Sequence, residues 1–345
     1  MTAIAAERYT GASIKRSEDP RILTGAGRYV DDIKLPGMLH AAFVRSPMAH
    51  ARVLSVDVSA ARELPGVVAA YTGAELEAMT VPGPDALMAL MSWQGPTPQF
   101  SLLATDKVRF AGDPVAIVIA ESRYLAEDGC ELVSVDYEDL PPVVNASFAL
   151  DPASPPLFAN LGNNIASPQT RHEFGDVAAT FAGADRVYDF HVDVHRHQNV
   201  PMEGRACVAS YDADSGVMTM HAATQSVHVS KIAVAMRLGM EQDKVRALAG
   251  DIGGSFGLKI GASREELAVA AASRDLARPV KWVEDRGENL TTSGQAREES
   301  FDVRAAVSKD GDLLGLDVKM VIDTGAYPGM GAMVPSIVEA MFPGP

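Results

Sequence analysis

The sequence has little cysteine: its 345 residues include only Cys130 and Cys207, which are far apart and in no metal-ligand spacing. This argues against a disulfide framework, a cysteine-held zinc site and an iron–sulfur cluster on this chain, and it fits the reducing cytoplasm. No apolar run approaches the roughly 18 to 20 residues of a membrane span. The first ten residues lack the apolar core of a signal peptide. We therefore expect a cytoplasmic protein.

Basic residues are also scarce, with 30 Lys and Arg against 45 Asp and Glu, which gives a net charge of −15. This balance argues against a nucleic-acid or anionic-membrane partner. Apolar residues make up 47% and charged residues 22%, which is typical of a soluble globular protein. The length is sufficient for two domains with their own cores.

Nucleophiles with a matching base are missing as well. No serine, cysteine or lysine stands in the setting of a hydrolase nucleophile, and the glycines around Ser255 do not form the G-x-S-x-G pattern. A hydrolase is therefore not indicated.

What the sequence does have is a glycine cluster, Gly253, Gly254 and Gly257, around Ser255 and Phe256. It lies between a predicted strand, which begins near 245 and breaks at 250–251, and a predicted helix at 263–276. The spacing matches neither a P-loop nor a dinucleotide fingerprint. Two interpretations remain open: a tight turn with a core phenylalanine, or a backbone that approaches a ligand with its N–H groups directed at oxygen atoms.

Four polar residues alternate along and beyond a predicted strand at 186–194: His191, Asp193, His195 and His197. They could bind zinc, or they could form a solvated strand face. At about 3.3 Å per residue they spread over some 20 Å, so the solvated face is favoured.

Three further polar residues stand next to predicted elements. Glu203 and Arg205 are most simply an internal charge pair. Gln225 precedes a predicted helix at 227–238 that Ser226 is expected to cap, and it is expected to project near the glycine cluster. An amide there can donate to an oxo or carbonyl oxygen.

The pattern of elements predicts an α+β, or mixed α/β, fold. We predict an N-terminal arm at 1–20, a first domain at 21–150, a linker at 151–167 and a second domain at 168–345. A βαβ unit is expected at 114–137 and a long surface loop at 81–99. An Asp-Gly turn at 309–312 predicts a hairpin of strands 301–307 and 313–322.

Many ordered stretches resemble the molybdenum-binding large subunit of the xanthine dehydrogenase, aldehyde oxidase and carbon monoxide dehydrogenase family. They are 18–33, 35–47, 49–52, 108–116, 126–128, 135–141, 202–203, 223–228, 251–259 and 278–286. The resemblance covers only the N-terminal half of such a subunit. It implies an α/β hammerhead domain at 21–150, followed by the first part of a molybdopterin-binding α+β domain.

The resemblance also implies roles for individual residues. Gln225 is placed to hydrogen-bond a molybdenum oxygen ligand, and Gly254, Ser255, Phe256 and Gly257 form the loop that approaches the pterin and the metal. Phe256 and Ile260 border the substrate pocket. Ile260 replaces the acidic residue of purine-oxidising members, which argues against a purine substrate. No side chain of this chain is assigned as a metal ligand.

The implied function is that of a molybdenum hydroxylase component that oxidises an aldehyde, an N-heterocycle or CO with oxygen from water. The implied cofactor is molybdenum–molybdopterin in its cytosine dinucleotide form. A [2Fe-2S] small subunit and an FAD medium subunit would accept the electrons. The catalytic base is expected in the C-terminal half, which a further chain would carry, so this chain alone is expected to be inactive. The alternative is a truncated, non-catalytic remnant or a cofactor-binding scaffold.

The final stretch of the sequence, 325–345, also indicates a missing partner, because Glu339 is its only charged residue. Free tails are usually polar, so an apolar end predicts burial against further polypeptide.

Overall fold

The computed structural model describes residues 10–83, 85–91, 93, 95–96, 98, 101–167 and 169–341. The strands are β1 Leu39–Arg45, β2 Ala51–Asp57, β3 Val67–Thr72, β4 Lys107–Val108, β5 Pro114–Ala120, β6 Ser134–Asp139, β7 Arg186–Val194, β8 His197–Gln198, β9 Ala206–Asp212, β10 Val217–Ala222, β11 Val245–Leu248, β12 Val280–Val283, β13 Gln295–Ala296, β14 Glu299–Val307 and β15 Leu313–Ile322.

The helices are α1 Asp19–Leu23, α2 Ser59–Glu63, α3 Gly73–Ala78, α4 Ala86–Leu90, α5 Arg123–Glu131, α6 Ala146–Ala149, α7 Val177–Gly183, α8 Val227–Leu238, α9 Arg264–Leu276, α10 Arg286–Thr292 and α11 Val334–Met341. The mixture confirms the predicted α+β class. Among the described residues, no helix is long and apolar enough to cross a membrane.

A seven-stranded sheet, in the order β11-β10-β9-β12-β1-β5-β3, forms the centre of the molecule. Strands β1, β3 and β5 come from the first part of the chain and the other four from the second part. The two groups meet where β1 pairs in parallel with β12, with Leu39 opposite Val280. The sheet thus continues across the predicted linker at 151–167, and the division into domains remains a prediction.

Strand β5 shows why this sheet holds together. All seven residues of Pro114–Ala120 are buried, and an apolar run of this kind suits a central strand that is covered on both faces. The predicted βαβ unit is wrong, however. Strand β6 leaves the central sheet and pairs with β2 in a separate sheet of order β4-β2-β6. The exposure of β6 alternates along the strand, which fits a sheet with one face in water. A strand beside β5 would need apolar residues on both faces, and β6 does not have them.

The predicted surface loop at 81–99 is wrong over Ala86–Leu90, which forms helix α4. Asp85 caps this helix by accepting a hydrogen bond from the Leu87 N–H, and Met88 is only 2% exposed. A run of good helix formers therefore outweighs the flanking prolines and glycines. Residues 84, 92, 94, 97 and 99 of the predicted loop lie outside the described residues.

A smaller sheet of order β15-β14-β7 contains the predicted hairpin, which is confirmed. Its turn includes Gly311, whose φ of 92° lies in the left-handed region that glycine enters without strain.

The stretch 151–167 has no regular strand and only turns and bends, but it is anchored. Phe158 is buried, and the Arg109 guanidinium carbon lies 4.4 Å from its ring centre. The Phe158 ring also meets the Tyr327 ring edge-on, with 5.6 Å between centres. This stretch is therefore packed against residues from both the first and the second part of the chain.

Candidate functional site

The glycine cluster lies in the loop between β11 and α9, as the sequence predicts. The backbone φ angles of Gly254 and Gly257 are 95° and 91°, and that of Phe256 is 52°. Residues other than glycine rarely adopt φ angles as large as those at 254 and 257, so the turn itself requires glycine at these two positions. Ser263 and Glu266 then form a capping box that starts α9.

Phe256 stands out of this loop and is 73% exposed. The interpretation of a turn with a core phenylalanine is therefore wrong. A Cβ atom added to Gly257 would meet nothing within 4 Å, so the outer side of the loop is open. Ile260, at the far end of the loop, is partly buried, and Ser255 closes a short turn by accepting a hydrogen bond from the Leu258 N–H at 3.0 Å.

Glu203 clamps the inner side of the loop. Its Oε2 accepts hydrogen bonds from Gly253 N at 2.9 Å and from Lys259 Nζ at 3.0 Å. Its own N–H donates to Gly253 O at 3.0 Å. A Cβ atom on Gly253 would lie 2.5 Å from Glu203 Cβ, so the two backbones approach closely. Glu203 Oε1 is buried without a hydrogen-bond partner, which is an unusual state for a carboxylate oxygen.

Gln225 is joined to the same loop through the backbone of Lys259. The Gln225 N–H donates to Lys259 O at 2.8 Å, and Gln225 Oε1 accepts from Lys259 N at 3.2 Å. A backbone N–H can only donate, so the side-chain oxygen must face it. The NH₂ group of Gln225 is therefore turned away from this bond.

The predicted Glu203–Arg205 charge pair is wrong. Buried Arg205 instead donates from Nη2 to Glu284 Oε1 at 2.6 Å, and its Nη1 lies 3.2 Å from Glu265 Oε2. Its guanidinium carbon also lies 5.4 Å from the centre of the Trp282 ring. Glu203, two residues earlier, turns to the loop and pairs with Lys259.

A buried ionic network continues from Arg205 beneath α9. Arg45 of β1 donates to Glu265 at 2.7 Å and to Glu288 at 2.9 Å, so the network ties α9 to the central sheet. Burial opposes ionisation of Glu265, but Arg205 and Arg45 lower the pKa of its carboxyl below the ordinary value. Glu266 has the opposite balance, because burial raises its pKa to about 7.

A second polar contact fixes the base of the loop. Arg21 Nη2 lies 2.5 Å from Asp251 Oδ1, and the Arg28 N–H donates to Asp251 Oδ2 at 2.6 Å. The hydrogen bond from Arg21 lowers the pKa of Asp251. A cavity of about 500 Å³ opens beside this contact, with His221 and Leu248 in its lining.

The four alternating residues around β7 do not form one site. The strand ends at Val194, and His195 and His197 lie beyond it. His191 lies 2.7 Å from Asp302 and 3.0 Å from Asp193, and these contacts, the Asp302 hydrogen bond first, raise its pKa. Across the described ranges, no group of three or more His, Cys, Asp or Glu is arranged to hold a metal ion.

The sequence interpretation missed the Glu203–Lys259 pair. A signal was available, because Lys259 stands between Leu258 and Ile260 at the end of an apolar loop. A lysine that is buried there needs a counter-charge. Its partner could not be identified from spacing alone, since it lies 56 positions away.

Two family descriptions match the chain. "Molybdopterin cofactor-binding domain" matches residues 157–345, and "Aldehyde oxidase and xanthine dehydrogenase, a/b hammerhead domain" matches residues 24–141. Together they define a molybdopterin-binding chain with an N-terminal hammerhead domain. The chain belongs to the xanthine dehydrogenase, aldehyde oxidase and carbon monoxide dehydrogenase family.

Individual relatives agree with this assignment. The chain is 39% identical over 322 residues to the carbon monoxide dehydrogenase large chain of Hydrogenophaga pseudoflava, covering 90% of this chain and 39% of that one. It is 37% identical over 317 residues to the nicotine 6-hydroxylase large subunit of Paenarthrobacter nicotinovorans, covering 92% and 38%.

Among solved structures, quinoline 2-oxidoreductase from Pseudomonas putida 86 superposes with a TM-score of 0.82 at 35% identity, covering 92% of this chain and 40% of that one. The chain thus spans about two-fifths of the length of each of these three relatives.

Proposed function

We propose that this chain is the part of a molybdenum hydroxylase large subunit that presents the glycine loop and Gln225 to a molybdopterin cofactor. The observation that carries the proposal is the pair of hydrogen bonds between Gln225 and the Lys259 backbone. They hold a side-chain amide beside a loop whose outer side is open. The chemical class of the proposed cofactor is taken from molybdopterin proteins that have the same two matched domains.

The residues fit such a cofactor. The loop can present backbone N–H groups to pterin and phosphate oxygens, and its left-handed turns leave no bulky Cβ atoms in the way. The Gln225 amide would donate a hydrogen bond to an oxygen of the cofactor, because its own oxygen is held by the loop. When bound, the molybdenum cofactor would supply two-electron oxidation with oxygen from water. We expect its cytosine dinucleotide form.

Substrate would lie against Phe256 and Ile260. An exposed aromatic ring and an aliphatic side chain offer an apolar contact and no charge to a ligand. Such a surface favours a small uncharged substrate, such as an aldehyde, an N-heterocycle or CO, over a purine that needs a carboxylate anchor. The relatives named for carbon monoxide and nicotine are consistent with this class.

The remaining components are expected on other polypeptide. A catalytic base, an iron–sulfur small subunit and an FAD medium subunit would complete a cytoplasmic complex. A base must lie within hydrogen-bond reach of the proton that it removes. Glu203, on the inner side of the loop, is already engaged with Gly253 and Lys259.

The test is to purify the chain with and without the products of its neighbouring genes, and to measure molybdenum content and dye reduction. Metal and activity in the complex, with no activity in the isolated chain, are expected. Activity of the isolated chain would show that the catalytic base lies on this chain and that the proposal is wrong on this point. A complex that binds molybdenum and never reduces dye would favour the cofactor-binding scaffold.

A further inference from the structure

The small sheet β15-β14-β7 has two faces of opposite character. Alternate residues of a strand point to opposite faces, and the register places Asp189, His191 and Arg304 on one of them. Arg304 Nε lies 3.0 Å from Asp189 Oδ1 there, and His191 binds Asp302 on the same side.

Helix α7 packs on this charged face. The Arg304 guanidinium carbon lies 5.1 Å from the centre of the Phe181 ring. A Cβ atom on Gly315 would lie 2.9 Å from Thr180. The charged face therefore has both its own ion pairs and a covering helix.

The opposite face, which we call the apolar sheet face, is built from the intervening residues. Its members include Tyr188, Phe190 and Val192 of β7, Phe301 and Val303 of β14, and Leu316 of β15. Over the central part of the three strands no charged side chain interrupts it.

The apolar sheet face is exposed to solvent along its two outer strands, and Phe301 and Val303 of the central strand are partly exposed. Tyr188 is 50% exposed, Phe190 49%, Val192 41% and Leu316 42%. Strands of nine or ten residues make this face roughly 30 Å long and 14 Å wide, or about 400 Å². A continuous apolar patch of this size on one molecule marks a surface that binds another polypeptide.

We infer that the apolar sheet face is the docking surface for the segment of the large subunit that this chain does not span. The inference rests on the proposed function, because it takes the chain as part of a longer molybdopterin-binding subunit. The carbon monoxide dehydrogenase and nicotine 6-hydroxylase relatives are more than twice as long as the matched region, so a polypeptide large enough to cover the face exists in both of them.

Two considerations favour this occupant over a second copy of the chain. Each protomer carries a net charge of −15, which opposes self-association. A dimer that used this face alone would bury about 400 Å² per partner, roughly half of the area typical of a stable interface. Packing inside one subunit needs no such area, because further contacts hold the segments together.

The first test introduces the photo-crosslinker p-benzoylphenylalanine in place of Phe190 in the tagged full chain, produced in its native host. The expected result is a crosslink to polypeptide that resembles the part of the carbon monoxide dehydrogenase large chain outside the matched region. A crosslink to a second copy of this chain, or to an iron–sulfur or flavin subunit, would overturn the inference. So would the absence of any crosslink at this position.

The second test compares hydroxyl-radical oxidation of side chains in the assembly and in the isolated chain. Oxidation of Tyr188 and Phe190 should fall roughly tenfold in the assembly, as expected for the dry core of an interface. Tyr124, which is 77% exposed on α5, is the internal control and should not change by the same factor. Equal oxidation of Tyr188 in both samples would contradict the inference.

A matched pair of variants places a lysine on each face of the same strand. Phe190→Lys should weaken association with the complementary segment about 100-fold, the cost of losing a central interface contact. His191→Lys places a cation between Asp193 and Asp302 and should associate normally. Circular dichroism checks that both variants fold. Equal affinities for folded Phe190→Lys and His191→Lys would overturn the inference.

Molybdenum analysis of the same assembly separates this inference from the proposed function. A crosslink without molybdenum would leave the docking surface standing and remove the proposed function. Bound molybdenum together with undiminished oxidation of the apolar sheet face would support the proposed function and remove the docking surface.

Discussion

Lys259 and Glu203 form an ion pair with 3.0 Å between Nζ and Oε2, and both side chains are largely buried behind the glycine loop. The lysine side chain is 1% exposed and the glutamate side chain 16%. The same lysine holds Gln225 through its backbone. One residue thereby sets the position of both the loop and the amide that we propose to face the cofactor.

The ion pair predicts a strong non-additivity in stability. Lys259→Met and Glu203→Gln should each lower the free energy of unfolding by about 3 kcal/mol, because each leaves a buried charge without its partner. The double variant should lose far less than the sum. Urea unfolding measures the three values. The exposed pair Arg123–Glu127 is the control, and its disruption should cost at most about 0.5 kcal/mol. Additive costs at 203 and 259 would contradict the coupling.

Gly254→Val tests whether the loop holds the cofactor. Because φ at Gly254 is 95°, the variant should lose about 1 to 3 kcal/mol of stability whatever the function of the loop. We expect it also to abolish molybdenum retention in the assembled complex.

Gly311→Val is the matched control for this variant. It introduces the same side chain at a φ of 92° in the distant hairpin turn, where an added Cβ atom meets nothing within 4 Å. It should keep its molybdenum. A thermal melt and metal analysis give both quantities. Equal metal per folded molecule in the two variants would mean that the glycine cluster is only a turn.

Gln225 can be dissected with two substitutions. Gln225→Glu keeps an oxygen for the Lys259 N–H but lacks the NH₂ donor, so turnover of the assembled complex should fall roughly 10- to 1000-fold while molybdenum stays bound. Gln225→Ala should lose the same donor and, in addition, about 1 kcal/mol of stability from the unpaired Lys259 N–H. Kinetics and metal analysis measure these effects. Undiminished turnover in Gln225→Glu would remove the proposed donor role.

Glu266 predicts a pH dependence of stability. Burial raises its pKa from 4.5 to about 7 in the folded state, so the folded protein favours the protonated carboxyl. The contribution of protonated Glu266 to the free energy of unfolding is complete below pH 4.5 and is lost as the pH rises through about 7. Relative to Glu266→Gln, the native chain should therefore lose about 3 kcal/mol of unfolding free energy between about pH 4.5 and pH 8.

Glu75→Gln is the control for Glu266→Gln, because Glu75 occupies the same capping-box position in α3. Partial burial opposes ionisation of Glu75, yet the hydrogen bonds from Thr72 and Arg62 lower its pKa. Its contribution is therefore complete above about pH 4.5 and is lost only as the pH falls below that value. Relative to the native chain, Glu75→Gln should change little between about pH 4.5 and pH 8. Urea unfolding between about pH 4.5 and pH 8 measures the free energy of unfolding of each protein. If this free energy changed with pH in Glu266→Gln as it does in the native chain, the prediction would be wrong.

Local signals in the sequence were sufficient for many elements. Ser226 caps α8 and Ser263 caps α9, and both helices lie where capping residues and apolar periodicity predict them. The hairpin of β14 and β15 follows from its Asp-Gly turn. In each case the decisive interaction joins residues close in sequence, so pattern and propensity contain the information.

Partners distant in sequence were not predictable in this way. Whether the strand after α5 returns to β5 or joins β2 depends on which faces other segments cover. Arg205 likewise finds Glu284 and Glu265, which lie 79 and 60 positions away, instead of nearby Glu203. Such choices are settled by the packing of the whole sheet.

The pairing of β1 with β12 has a consequence for synthesis of the chain. Leu39 can meet Val280 only after some 240 further residues have left the ribosome, which takes roughly 10 to 50 s at usual translation rates. Until then, the edge of β1 that will pair with β12 lacks its partner, and unpaired strand edges can pair with other chains. The β1 edge therefore stays unprotected during synthesis until β12 arrives, and shielding of that edge would lower the risk of aggregation.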